Sequence, residues 1–212
     1  MDISPSPEPP RHAAPASELL AELADAFPGE KVSVGELLDR LDSRANGVVL
    51  LVLALPMCIP NVPGISTIFG FLMIAPALQL LFGQHKLWAP AQVRAWRVDS
   101  QALRRTFNVA IPTLKRVEVL IKPRLSFLTR FPFTIYVGLQ TLFMALVLIL
   151  PIPAGNWPPG ITVALTALAL LQRDGVLLLA TVAACALSTY IAFTVGAAVF
   201  SGLLHWVQGL LN

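Results

Sequence analysis

Charge is what this sequence has least of. Asp, Glu, Lys and Arg make up 13% of its 212 residues, against ~25% in an average soluble domain. None of the four occurs from Ala45 to His85, from Phe131 to Gln172, or from Gly175 to Asn212. Those three blocks cover more than half the chain. A soluble domain needs charge over its surface, so the blocks exclude an ordinary soluble enzyme domain. A composition that is 56% hydrophobic excludes a disordered chain. The blocks do not alternate as the strands of a membrane β-barrel do. A polytopic α-helical membrane protein remains, since ~20 consecutive apolar residues suffice for one span.

Other residues are scarce in informative ways. There are two cysteines, Cys58 and Cys185. Both sit in apolar blocks, where they read as small buried hydrophobes. His12, His85 and His205 are scattered, so no metal spacing arises. No carboxylate pair, Ser–His–Asp grouping or phosphate-binding glycine loop is present. An enzyme is therefore not expected, and neither is a cofactor or a metal. The start of the chain has no basic region followed by an apolar run, so membrane entry is expected to use the internal blocks. Ionisable residues inside the membrane mark proton- and voltage-coupled pathways. The blocks hold none beyond His85 and His205, which leaves an uncoupled path or a carbonyl-lined ion site.

The charges that do exist are segregated. Residues 1–16 read as a disordered tail, proline-rich from Pro5 to Pro15. Residues 17–46 read as an acidic cytoplasmic head. The first 45 residues carry nine acidic and four basic side chains. Ser17–Phe27 places Leu19, Leu20, Leu23 and Phe27 on one helical face, and Pro28-Gly29 ends that helix. Ser33 and Glu36 form a capping box, with Val32 and Leu37 as its hydrophobic staple. Val34, Leu37, Leu38 and Leu41 mark the amphipathic helix that follows, expected to end at Asn46-Gly47. Residues 86–130 carry ten basic and two acidic side chains. Leu103, Phe107, Ala110, Ile111, Leu114, Val117 and Ile121 recur there at helical spacing. Arg104, Arg105, Lys115, Arg116 and Lys122 occupy other faces. Such a basic amphipathic helix lies in the membrane interface and attracts anionic lipid, with Trp88 and Trp96 as interfacial anchors. No aromatic–basic interleaving or binding motif points to nucleic acid. The acidic head is expected to lie against this basic segment.

The first apolar block (residues 47–85) is too long for one span and too short for two. Its 36 residues from Gly47 to Phe82 would make a helix of ~54 Å, against a hydrocarbon core of ~30 Å. Pro56, Pro60, Asn61, Pro63 and Gly64 break it. Two short helices, about Val48–Leu55 and Ser66–Phe82, joined by an irregular elbow, are expected to form a re-entrant or tightly folded hairpin. The second block (131–174) repeats the design. A run ends at Leu150-Pro151, an elbow extends to Gly160, and a helix covers Ile161–Leu171. Asn61 through Ser66 aligns with Asn156 through Thr162 with one insertion, and Ala77-Leu78-Gln79 resembles Leu170-Leu171-Gln172. Paired blocks with Pro/Gly breaks at corresponding positions point to a repeat, expected as an inverted pair with its site between the elbows near mid-membrane. The third block (175–212) is either one helix to about Phe200 or a pair broken near Gly196 or Gly202.

The elbows are the candidate site: Asn61, Pro63, Gly64, Ser66, Thr67, Asn156, Pro159, Gly160 and Thr162. Their prolines free carbonyls, their amides can satisfy them, and Ser66 and Thr162 stand where an N-cap would. Helix N-termini there could attract an anionic headgroup. The competing reading is that Asn, Ser and Thr only satisfy broken backbone. Gln79, Gln172, Arg173 and Asp174 are polar residues at helix ends, with Arg173-Asp174 read as a surface ion pair or as a gating or partner contact.

With both elbows and the head opening Gly29-Glu30-Lys31-Val32-Ser33-Val34-Gly35-Glu36-Leu37-Leu38 in view, the chain resembles the ExoD family of bacterial exopolysaccharide-synthesis proteins. Leu55-Pro56, Asn61 to Gly70 and Ala77 to Leu80 carry the likeness, as do Leu150 to Asn156 and Gln172-Arg173-Asp174-Gly175. It covers about residues 29–200. It departs at Gln172, where an acidic residue is more usual. The resemblance implies an integral inner-membrane protein linked to exopolysaccharide production and supplies no reaction. The expectation is an all-α polytopic protein with a cytoplasmic N-terminus. It would act without catalysis on a lipid or lipid-linked intermediate, or as a scaffold. Its partners would be membrane lipids, polysaccharide-synthesis machinery and a second copy of itself. The alternative is a small channel or transporter with its pathway between the elbows.

Overall fold

The computed structural model describes residues 16–26, 31–41, 44–58, 64–84, 87–119, 124–150, 152 and 155–211. The N-terminal tail, Asn61, Pro63 and Lys122 lie outside them. The described chain is helical apart from one two-stranded ribbon. Its elements are α1 (Ala16–Ala26), β1 (Lys31–Ser33), α2 (Val34–Leu41), α3 (Ala45–Ala54), α4 (Ile65–Leu81), α5 (Ala91–Arg94), β2 (Arg97–Asp99), α6 (Ser100–Glu118), α7 (Phe133–Ile149), α8 (Trp157–Gln172) and α9 (Gly175–Leu211). Short 3-10 turns follow α3 at Leu55–Cys58 and precede α7 at Ser126–Thr129.

The head folds onto the basic segment. The capping box forms: Ser33 N–H donates to Glu36 Oε2 at 3.1 Å, and Glu36 N–H to Ser33 Oγ at 3.2 Å. β1 pairs antiparallel with β2, Val32 opposite Val98. This ribbon is too short to leave a strand pattern in the sequence. Arg94 Nη2 donates to both carboxylate oxygens of Asp39, at 2.7 and 2.6 Å. α1 packs along α6, and Leu20, Leu23 and Phe107 enter one buried core. The expected contact between acidic head and basic segment is therefore made. Around Phe107 the apolar face of α6 is covered by α1. Arg105, Lys115 and Arg116 remain exposed, and Arg104 is half-buried.

The apolar blocks form two hairpins, α3–α4 and α7–α8. Each helix packs against a helix of the other hairpin, and glycines set the separations. A Cβ on Gly47 would come within 2.9 Å of Leu171, and one on Gly160 within 2.6 Å of Met57 O, so α3 runs antiparallel to α8. Gly70 lies against Ala145 O, where a Cβ would stand 2.9 Å away, and Gly138 lies against the backbone of Leu81, so α4 runs antiparallel to α7. Small residues allow this close approach between apolar helices. Both hairpins open toward the same end of the bundle. An inverted arrangement is thereby corrected, because α3 and α7 start together and both elbows lie at the opposite end. Asn46-Gly47 is also not the C-cap of α2, which ends at Leu41. Both residues are buried in the first turn of α3, with Asn46 Nδ2 donating to Gln84 O at 3.2 Å.

α9 is a single unbroken helix of 37 residues. Among the described helices it alone is long and apolar enough to cross a membrane, over Gly175–Gly202. The hairpin helices are shorter apolar segments. The bundle is apolar outside as well as within, where Leu50, Leu51, Met73, Met144 and Leu148 form its core. Ile68, Phe71, Leu139, Leu146, Leu187, Tyr190 and Phe193 face outward, while Ser66, Gln140, Thr141, Asn156, Thr162, Thr166, Thr181 and Ser188 are buried.

Candidate functional site

Gly64 opens α4 at φ 103°, a left-handed conformation that costs glycine nothing. Gly64, not Ser66, is therefore the N-cap. Ser66 falls in the first turn and is fully buried. α8 begins at Trp157, four residues before the apolar pattern places it, because Pro158 and Pro159 occupy its first turn. Proline is tolerated there, since the amide it lacks would have no helical partner. Thr162 is consequently inside the helix and is no cap. Its hydroxyl bonds back to Pro158 O at 3.0 Å and lies 2.7 Å from Ser188 Oγ of α9.

The elbows meet directly. Asn156 Nδ2 donates to Ser66 Oγ at 2.6 Å across ninety residues of sequence, with both side chains buried. Asn156 Oδ1 has no hydrogen-bond partner among the described residues. Beside this bond, Thr67 Oγ1 donates to Ile149 O at 3.0 Å, which satisfies a carbonyl in the last turn of α7. The start of α4 is thus tied twice to the second elbow. Pro159 and Gly160 are buried, and Gly160 lies against Met57. Of the expected elbow residues, Ser66, Thr67, Asn156, Pro159, Gly160 and Thr162 gather at this end. Gly64 is exposed beside them, and Asn61 and Pro63 are outside the described residues.

Sequence reasoning did not single out Gln140. Its Nε2 donates to Thr166 Oγ1 at 3.2 Å, and to Thr181 O and Oγ1 at 3.2 and 3.0 Å. With Thr162 and Ser188 it makes a polar seam between α7, α8 and α9. An amide within an apolar run was the available signal.

The helix-end residues act locally. Gln79 exchanges two hydrogen bonds with the backbone of Trp88, Nε2 to O at 2.7 Å and N–H to Oε1 at 2.5 Å, and so pins the chain leaving α4. Gln172 closes α8, half-buried. Arg173-Asp174 is more than a surface pair: Arg173 is the left-handed C-cap of α8 at φ 53°. Asp174 is buried, and its Oδ1 accepts from Val176 and Leu177 N–H at 2.9 and 3.1 Å. It is the N-cap of α9.

Comparison with known proteins agrees with this layout. The family described as "Exopolysaccharide synthesis, ExoD" matches residues 16–194, from α1 well into α9. Protein ExoD of Rhizobium meliloti (strain 1021) is 27% identical over 202 residues, 90% of this chain and 82% of that protein. The uncharacterised protein slr1875 of Synechocystis sp. (strain ATCC 27184 / PCC 6803 / Kazusa) is 29% identical over 167 residues, 76% of this chain and 79% of that protein. No solved structure matches the chain. The matched region takes in both hairpins, both helix-end caps and the folded head, and the chain belongs to the ExoD family of exopolysaccharide-synthesis proteins.

Proposed function

We propose that this chain is a multi-pass component of the bacterial inner membrane that serves exopolysaccharide production without chemistry of its own. It acts on a lipid or lipid-linked intermediate, or holds other parts of the synthesis machinery. The observation that carries this is the bundle's apolar surface: large apolar side chains face outward along α4, α7 and α9, and hydroxyls and amides are buried among the apolar core. In water such a surface would aggregate; in lipid it is the expected one, and interhelical polar contacts are the glue. α9 supports a near-complete crossing by the hairpins. Gly175 stands at the charged end and Gly196 beside Ile152 of the second elbow. The helix between them is about 32 Å long, close to the ~30 Å hydrocarbon core. The arginine-rich end then faces the cytoplasm, with the N-terminal head. The exchange of partners between hairpins supports their reading as two copies of one unit, and the Asn156–Ser66 bond supports the elbows as the clasp joining them.

A second reading, an uncoupled transport path, is favoured by the Gln140–Thr166–Thr181 seam. One experiment separates the two. The chain is deleted in its host, exopolysaccharide yield is measured, and the purified protein is assayed for ion flux in proteoliposomes. Loss of polymer with no flux supports the first reading. Flux supports the second, and unchanged yield refutes the role in polymer production.

A further inference from the structure

The end of the bundle opposite the elbows holds a cavity of about 420 Å3. Four segments converge on it: the start of α3, the end of α4, the start of α7 and the end of α8. Arg44, Arg130 and Arg173 line it, and no carboxylate does so among the described residues. Asn46 and Thr134, only 4% and 8% exposed, line it as well. Neither Asn46 Oδ1 nor Thr134 Oγ1 has a hydrogen-bond partner among the described residues. Buried polar atoms are normally paired, so two orphans in one arginine-lined cavity mark a place built for something that supplies the missing bonds. Arg173 adds to this. A left-handed C-cap is ordinarily glycine, yet here an arginine is held in that strained conformation at the mouth.

We propose that this mouth binds the phosphate headgroup of a membrane lipid. Guanidinium forks match phosphate oxygens in pairs. The starts of α3 and α7 and the ends of α4 and α8 meet there, so the helix dipoles offset one another and the positive field is that of the three arginines. The Thr134 hydroxyl donates to a phosphate oxygen. Asn46 Oδ1 accepts from a protonated phosphate oxygen or a headgroup hydroxyl. A lipid fits better than free phosphate because the mouth adjoins an apolar outer surface. Phe131 lines the cavity and is 61% exposed, and Phe82 is 73% exposed close by. The outward faces of α4 and α7 run from there toward the elbows, so a headgroup in the cavity leaves its chains along apolar helix. The inference rests on the reading of the chain as membrane-embedded and adds the ligand class and its place.

The test uses the full chain purified in a neutral detergent, with melting temperature followed on addition of phosphatidic acid, phosphatidylcholine or inorganic phosphate. Phosphatidic acid should raise the melting temperature, and the other two should not. Arg130→Gln and Arg173→Gly should each bind phosphatidic acid about tenfold more weakly, the size of losing a charge-assisted hydrogen bond. Arg173→Gly relieves the left-handed cap, so it should melt no lower than the wild type without lipid while still losing affinity. Arg105→Gln, on α6 away from the cavity, should bind as the wild type does. Equal stabilisation by inorganic phosphate would overturn the lipid assignment. The absence of any shift, or wild-type affinity in both mouth variants, would overturn the site. Polymer yield and flux do not enter these outcomes, so this inference and the proposed function fail separately.

Discussion

Replacing Asn156 with alanine removes the bond between side chains from the two hydrogen bonds that tie the start of α4 to the second elbow. The substitution removes a 2.6 Å contact and leaves Ser66 Oγ, fully buried, without its donor. In a water-soluble protein an unsatisfied buried group costs ~1–3 kcal/mol. Between membrane helices such bonds average only ~0.6 kcal/mol and reach ~1.7. The expected loss for Asn156→Ala is therefore ~1–2 kcal/mol. Ser66→Ala strands the amide, both of whose polar atoms are then unpartnered, and should cost at least as much. The double variant removes donor and acceptor together. It should be less destabilised than the sum of the singles by ~0.6–1.7 kcal/mol. Denaturant titration in mixed micelles measures all three, and membrane abundance and exopolysaccharide yield are followed in parallel. Yield should fall only as abundance falls. If the singles add to within ~0.5 kcal/mol, as independent sites do, the two side chains are not coupled and the clasp does not exist. If yield drops while abundance and stability hold, the elbow binds a ligand and is more than a clasp.

Three further outcomes follow from the packing. Gly138→Ala drives a methyl group into the backbone of Leu81 and should lower stability by ~1–3 kcal/mol, the usual cost of overpacking, seen as a lower melting temperature. Arg94→Ala breaks an ion pair whose side chains are 38% and 68% exposed, so global stability should change by no more than ~1 kcal/mol, while limited proteolysis should cut the head sooner. Gln101→Cys should stay unreactive toward an impermeant external thiol reagent in intact cells and react once the membrane is opened; labelling in intact cells would refute the cytoplasmic placement of this segment.

What the sequence determined by itself was local. Charge-free blocks interrupted by Pro and Gly marked two broken hairpins, since a proline or a glycine acts on its own few residues. The capping box at Ser33 and Glu36 was legible for the same reason, and opposite net charges brought the head to the basic segment. The tertiary structure decided everything that depends on which surfaces approach. Asn46-Gly47 carries the signature of a helix end, but the missing Cβ is used against Leu171. Ser66 and Thr162 align in the sequence, yet one lies in the first turn of α4 and meets Asn156 while the other lies deeper in α8 and meets Ser188. Gln140 becomes a seam only because α8 and α9 bring hydroxyls to it. The arginine-lined mouth joins residues 44–47, 80–84, 129–134 and 170–173, which no local pattern connects. Side chains from separate helices share a cavity only once glycines have let the backbones approach, and that approach is a property of helix pairs rather than of any one segment.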